Sequence, residues 1–568
     1  MLLHSIPTPS KAGNKLLWAQ AHGATSALAI AQAAQAHQGP VLALVKDTDA
    51  ALTLSAQLKF FLTGTEYSCL MLPDWEILPY DSFSAHPDII SERISTLNQI
   101  TNLSKGVVIV PVATLLHRLP PMNYLAGNSF TLKTGQNLPQ GQFRQRLDQA
   151  GYLLTETVSQ AGEFALRGGL IDLYPMGSHA PLRIELFDDE IESLRYFDAD
   201  SQRTTALITE FNLLPAREFP LTDTAISHFR QSFTSQFDLD PKACPVYQDV
   251  SQGFAPAGIE YYIPLFFNTM STLLDYLPSS SLVIKLGGIE EQAHHFWQDI
   301  ESRYEDYSHD IERPLLEPKQ LFLFTDEMFS GLKNFPIIDI QDSALLEPDA
   351  NKGSYNLGGA QNPQLAINNT LSNPLAALQT AIEGTDQCIL VCAESAGRKE
   401  ALLDLFKILP NEPENIENWS DFIATRPNFG ICVAPLEEGL NLPQHKLLVV
   451  CEAQLFGQKV LQRRRRDKAT ENPNTAIHDL AELSIGNAVV HQDHGVGRYH
   501  GLQSLSIDGQ DAEFLVLLYA NEATLYVPVS GIELLSRYSG GENAPLHKLG
   551  AEQWTKAKRK AAEKIKDT

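Results

Sequence analysis

Between residues 14 and 120, short runs that are apolar at almost every position alternate with longer runs that are apolar on one side only. GPVLALV (39–45), YSCLMLPDW (67–75, ending as a strand at Pro73) and GVVIVP (106–111) are of the first kind. A strand reads this way when helices cover both faces of its sheet, which is the geometry of parallel strands joined by crossovers. SAQLKFFL (55–62) and residues 89–103, with Ile90, Ile94 and Leu97 at helical spacing, are of the second kind and supply such crossovers. LLWAQAHGATSALAIAQAAQAH (16–37) is alanine-rich and predicts one further helix. A parallel α/β sheet is therefore the expected first module, over residues 1–124.

The pattern changes near residue 125. TLKTGQNL, GYLLTETV, FALRGGLIDLYP and LRIELFDDEIESLRYFD are short strands with glycine and aspartate turns, an antiparallel α+β insert over residues 125–212. Residues 213–345 return to mixed α/β, with a strand in DYLPSSSLVIKL and a helix in IEEQAHHFWQDIESRYEDY. Residues 346–376, rich in Asn, Gly and Pro, predict a linker. CILVCAES, RKEALLDLFKIL, ICVAPL and KLLVVCEAQLF make a second small α/β domain over 377–457. Residues 458–480 are a polar linker carrying Arg463, Arg464, Arg465 and Arg466, a solvated stretch or a DNA or polymerase contact. Residues 481–545 are strand-rich. Turns at Gly495, Gly497 and Gly509, a hairpin at Ala520–Ala523 and an edge marked by Pro528 predict a small barrel. Residues 546–568 read as a basic helix with no terminating glycine or proline. At about 100–200 residues per domain, 568 residues accommodate this series.

Composition narrows the chemistry. The net charge of −25 argues against broad electrostatic coating of DNA. With 43% hydrophobic and 20% charged residues the chain is globular. No stretch approaches the roughly 18–20 apolar residues of a membrane span, and the N-terminus does not read as a signal peptide, so a cytoplasmic protein without membrane contact is expected. Six cysteines with no paired CxxC spacing exclude a disulfide scaffold and a standard zinc site.

An α/β sheet of this kind invites a nucleotide site, yet the dipeptide Gly-Lys never occurs. At the expected place, HGATSALAIA (22–31), Gly23, Thr25 and Ser26 form either a plain helix start or a degenerate loop that holds an anion weakly. Cys388 and Cys392 lie in an apolar run and read as core; His294 and His295 read as solvated; His491 and His494 flank a glycine turn and read as turn packing or, alternatively, a metal pair. No catalytic residue and no metal ligand set follows.

Three segments carry a family resemblance. LPDWEILPYDSFSAHPDIISERISTL (72–97) is a loop with Trp75, Tyr80 and Phe83, exposed or packed on the sheet, followed by a helix. It resembles the N-terminal region of the bacterial transcription-repair coupling factors. GEFALRGGLIDLYPMGSHAPLRIELFDDEIESLRYFDADSQRT (162–204) resembles a stretch shared by that family and the excision-repair subunit UvrB. The resemblance implies that Arg167, Arg183 and Phe187 dock on UvrA. The residues alone leave a second possibility, internal pairing of the arginines (Arg195 among them) with Asp188, Asp189 or Asp198. Residues 485–541 resemble the RNA-polymerase-interacting domain of the same family, a Tudor-like barrel also found in CarD-type regulators. There the implied contact is strand pairing with the polymerase β subunit, through Leu502, Leu505 and Ile507 of GLQSLSI, for which core packing is the alternative.

The implied whole is a multidomain α/β protein: a UvrB-like degenerate helicase-type module with an α+β insert, a second small α/β domain and a Tudor-like β-barrel. The implied function is transcription-coupled nucleotide excision repair, in which this portion acts as a monomeric adaptor between RNA polymerase and UvrA. In the family an ATPase motor using ATP and Mg follows the barrel and moves on double-stranded DNA. This chain ends at Thr568 without such a loop, so no cofactor and no ATP hydrolysis are expected of it. Two alternatives are a CarD-like regulator that uses the barrel alone and a UvrB-like damage-recognition subunit.

Overall fold

The computed structural model describes residues 7–9, 11–368, 370–371, 373–456, 488–491, 495–507, 510–520, 523–528 and 535–537. They belong to two compact units, Met1–Lys459 and Val460–Thr568.

The first unit is organised by a seven-stranded sheet. Its order is Ser354–Asn356, Lys15–Ala19, Ile337–Ile340, Leu282–Lys285, Val41–Val45, Gly106–Pro111, Ser68–Met71. Every pair in it is parallel. Val41–Val45 shows why the run is continuously apolar. Leu42 and Leu44 enter one core and Val41, Ala43 and Val45 the other, on opposite faces of the sheet. The crossover helices begin where side chains supply caps. Asp47 accepts from Ala50 N ahead of Thr48–Leu62, and His86 accepts from Asp88 N ahead of Pro87–Ile100, whose first residue is proline.

Two expectations are corrected here. The predicted helix over 16–37 is a strand, Lys15–Ala19, and a helix, Thr25–Ala36, separated by Gln20 and Gly23 at positive φ. Helical propensity in LLWA is a small local preference, and two parallel neighbours outweigh it. The predicted linker 346–376 contributes an edge strand, Ser354–Asn356, beside Lys15–Ala19.

The insert leaves and returns through a two-stranded ribbon, Phe130–Lys133 against Glu210–Leu213. Within it the helix Gln140–Gln149 accompanies a six-stranded sheet. The order is Thr204–Ile208, Glu190–Phe197, Leu182–Phe187, Leu170–Leu173, Glu163–Arg167, Leu153–Leu154. The sheet is antiparallel except for its last pair, Leu153–Leu154 with Glu163–Arg167. The small α/β domain has a five-stranded sheet ordered Glu414–Asn415, Phe429–Val433, Cys388–Ala393, Leu447–Cys451, Leu440–Leu442, parallel apart from the last pair.

The second unit contains five antiparallel strands ordered Thr524–Pro528, Gln510–Leu518, Gly495–Ile507, Ala488–His491, Leu535–Arg537. Among the described residues they form an open sheet, with Thr524–Pro528 and Leu535–Arg537 at its edges, rather than a closed barrel.

Candidate docking surfaces

The loop after Ser68–Met71 turns inward. Trp75 and Tyr80, read as possible exposed aromatics, are buried, and only Phe83 stands out. The cause is a buried ion pair. Arg93 Nε donates to Glu218 Oε1 at 2.9 Å with both side chains at most 2% exposed; Arg93 Nη1 donates to the Pro73 carbonyl, and Trp75 Nε1 donates to Glu218 Oε2. The Arg93 guanidinium lies 5.1 Å from the Trp75 ring centre. Tyr80 donates to the Leu316 carbonyl. His117 and Asp74 face each other at 3.9 Å beside this pair. Burial, reinforced by Arg93, holds the His117 imidazole well below its ordinary pKa, and burial pushes the Asp74 carboxyl up. Glu218 follows the ribbon strand Glu210–Leu213, and Ser91 Oγ accepts from Gly177 N at 2.7 Å. The helix Pro87–Ile100 thus anchors the insert and its return at once.

The insert's sheet has one core face and one outward face. Phe164, Ile171, Leu173, Leu182, Ile184 and Leu194 fill the core side. Register and alternation put Arg167 opposite Leu170, Asp172 opposite Arg183, and Arg183 opposite Arg195, which is itself opposite Leu207, on the other face. Phe187 follows Arg183 and Glu185 at two-residue spacing on that same face. All three residues implied in UvrA docking therefore share one surface, but they do not share one state. Phe187 is 71% exposed, at a hairpin tip that Asp188 turns with a positive φ. With Leu207 (62%) and Leu170 (36%) it gives the outward face an apolar content. Arg167 is exposed and donates to Glu156 O and Thr157 Oγ1 at the neighbouring turn.

Arg183 is different. It forms a bidentate pair with Asp172, Nε to Oδ1 at 2.6 Å and Nη2 to Oδ2 at 2.8 Å, and donates to the Gln202 carbonyl. It also lies 4.8 Å over the Phe197 ring. The hydrogen bond with Asp172 raises its pKa further. The guanidinium is engaged internally, with Asp172 rather than with Asp188, Asp189 or Asp198. Arg195 approaches Glu185 at 3.8 Å.

In the second unit, Gly495–Ile507 pairs with Gln510–Leu518 along most of its length and with Ala488–His491 only through Gly495–Arg498. Among the described residues, 499–507 have one strand neighbour. Leu502 is 46% exposed there. Leu505 and Ile507 are registered opposite Ala512 and Gln510, and their side chains lie outside the described residues. Arg463, Arg464, Arg465, Arg466 and His494 also lie outside the described residues.

The degenerate loop is filled. Gly23 (φ 58°) precedes the helix, Thr25 is fully buried, and Ser26 Oγ donates to Gly23 O at 3.5 Å. The Ala24 N–H, which an anion would seek, donates to the Gly439 carbonyl at 2.9 Å. Of the two readings of this turn, the geometry is that of a plain helix start. Cys392 and Cys432 sit 3.5 Å apart on adjacent strands with both side chains buried, and burial holds the Cys392 thiol well above its ordinary pKa, an inert pair. His294 and His295 are exposed. Among the described residues no group of three or more His, Cys, Asp and Glu is arranged to hold a metal, and no helix is long and apolar enough to cross a membrane.

Sequence reasoning missed Arg93 and Glu218. They are separated by 125 residues, and the available signal was an arginine inside an otherwise apolar helical stripe, SERISTL.

Comparison with known proteins matches three family models: the UvrB interaction domain over residues 130–219, the MFD D3 domain over 382–455, and the CarD-like/TRCF RID domain over 483–539. The chain is 44% identical over 98% of its length to a transcription-repair-coupling factor of Escherichia coli, covering 48% of that protein. It is 43% identical over 95% of its length to one of Haemophilus influenzae (47% covered) and 26% identical over 88% to one of Bacillus subtilis (43% covered). The chain spans about half the length of the curated relatives it matches. Identity of this level across nearly all its residues, with the three family domains in order, makes this chain a member of the transcription-repair-coupling factor family.

Proposed function

We propose that the chain is the adaptor portion of a transcription-coupled nucleotide excision repair factor, linking stalled RNA polymerase to UvrA. The observation that carries this is the presence on one chain of a UvrB interaction domain with an outward, partly apolar sheet face and of a CarD-like/TRCF RID segment with an exposed strand. Among the described residues neither surface brings together the groups for a chemical step, and the use we propose for them is recognition. Phe187, Arg167 and Arg183 are the contact residues for UvrA, with Arg183 held in place by its bidentate pair with Asp172. Leu502, Leu505 and Ile507 are the contact strand for the polymerase β subunit, added by strand pairing. The Tudor-like relation of the second unit and the helicase-type ancestry of the first belong to the same proposal. The strand–turn–helix Lys15–Ala36 without a Gly-Lys supports the latter. The ATP- and Mg-dependent motor, movement on double-stranded DNA and a DNA contact by Arg463–Arg466 are proposed for the whole protein, acting as a cytoplasmic monomer.

The test is a pair of titrations of the whole chain, one against UvrA and one against the polymerase β subunit. Arg167→Ala with Phe187→Ala weakens UvrA binding by at least roughly 30-fold, the effect of losing a hot spot, and leaves polymerase binding unchanged. Leu502→Arg does the reverse. Unchanged UvrA affinity in the double variant removes the docking assignment. Polymerase binding without any UvrA binding by the wild type favours a CarD-like regulator instead.

A further inference from the structure

We propose that the small α/β domain serves as a fixed stopper for the ligand end of the seven-stranded sheet. In open parallel sheets, ligands bind beyond the carboxyl ends of the strands, at the turn into the following helix, where the first helical N–H groups have no partner of their own. Here that turn joins Lys15–Ala19 to Thr25–Ala36. Backbone from two later segments occupies it.

The first segment is the turn before Leu440–Leu442. Gly439 offers its carbonyl to Ala24 N–H. The approach is so close that a Cβ at Gly23 would lie 2.5 Å from the same oxygen. The second segment follows the edge strand Ser354–Asn356. Gly359 N donates to Gln20 O at 3.0 Å, and a Cβ at Gly359 would lie 2.6 Å from Thr25 Oγ1 and 3.1 Å from His22 N. The two segments are also tied to each other: Ala360 N donates to Asn441 O at 2.9 Å and Asn441 Nδ2 to Gln361 O at 2.8 Å. Glycine at 23 and 359 is thus a requirement of close packing at this one place.

The surroundings fit a permanent contact. Trp419 packs tilted against Phe60 and edge-on to Phe61, at 5.7 and 4.9 Å between ring centres. Leu436, Leu440 and Leu442 share a single buried core with Ala24, Ala27 and Leu28. Thr53 donates to Glu437 at 2.9 Å on the rim. A contact built from buried leucines, aromatics and backbone hydrogen bonds does not open at the low cost of a polar interface. The stopper therefore does more than follow from the lost lysine. It closes the end of the sheet whether or not a lysine stands in the turn, and it makes the first sheet and the small domain one mechanical body.

Hydrogen exchange on the whole chain tests this. In the wild type, residues 20–27 are protected, and millimolar ATP leaves that protection unchanged. Gly359→Val wedges the second segment outward without entering the small domain's own sheet. Exchange at 20–27 and at 436–442 then rises together by at least about 10-fold, while 41–45 and 388–393 keep their protection as the internal control of folding. Gly359→Ala is the milder wedge should the valine variant not fold, with the same paired response. The proposal is overturned by free exchange at 20–27 in the wild type, by ATP raising protection there, or by loosening of one segment without the other.

Discussion

The seven-stranded sheet and the insert's six-stranded sheet share an anchor helix, Pro87–Ile100, and end in opposite states. The first is covered on both faces, and its ligand end is plugged by Gly439. The second is covered on one face; the other carries only the small cluster of Val158, Ala165 and Phe197 and presents Phe187, Leu170 and Leu207 beside it. A sheet with the architecture for chemistry has been closed, and a sheet without it keeps exposed apolar side chains on one face. The arginines repeat the contrast. Arg93 is fully buried in the first region, Arg183 is half-buried behind the open face, and Arg167 is exposed on it. The same side chain fills three roles, and what separates them is how much water each retains.

Substitutions along that series put the contrast at risk. Arg93→Ala leaves Glu218 buried without its partner and takes a donor from the Pro73 carbonyl, so it destabilises the first unit by about 3–5 kcal/mol, read in a urea unfolding curve. A loss near 1 kcal/mol would mean that the pair is not sealed. Arg183→Ala leaves Asp172 4% exposed and unpaired, and is expected to destabilise by about 2–3 kcal/mol because some water reaches the position. If UvrA affinity falls while stability does not, the role of Arg183 is docking rather than support of the sheet.

A third prediction concerns pH. Between pH 7.5 and 5.5 the unfolded chain takes up a proton at His117, whose ordinary value is 6.5, and the buried ring in the folded chain does not. The unfolded state binds more protons in that window, so stability falls as pH falls, by about 1 kcal/mol. Asp74 faces this ring, and burial raises its carboxyl; it works in the opposite sense and blunts the more acid limb. His117→Gln should flatten the dependence relative to the wild type, and parallel curves would show that other histidines set it. The smallest effects belong to the open face. Arg167→Ala and Phe187→Ala should each change stability by no more than about 0.5 kcal/mol, because neither side chain holds a core together. A larger change at Phe187 would place it in the fold rather than at an interface.

Much of this was legible in local pattern. The continuous apolar runs at 41–45 and 106–111 announced strands buried on both sides. The places that local pattern left open or misassigned share a cause. Trp75 and Tyr80 sit among Pro and Asp, which looks like a surface loop, and they are drawn inward by Glu218, 143 residues from Trp75, and by Leu316. The LLWA segment looked helical because its neighbours in the sheet come from residues 337–340 and 354–356. The partner of Arg183 was invisible until the register set Asp172 opposite it.

What the sequence determined by itself is therefore what depends on spacing and on residue type: the parallel first sheet, the antiparallel insert, the second α/β domain and the lack of a lysine that could hold a phosphate. Those follow from the 2.0 and 3.6 residue periods and from side-chain chemistry, which are properties of neighbours along the chain. Only the tertiary structure decided which arginine is exposed, which aromatics are buried, and that the turn before Thr25–Ala36 is filled by Gly439 and Gly359. Each of those rests on a contact that strand register or a distant segment creates, where a single hydrogen-bond partner or a missing Cβ separates an exposed surface from a piece of core.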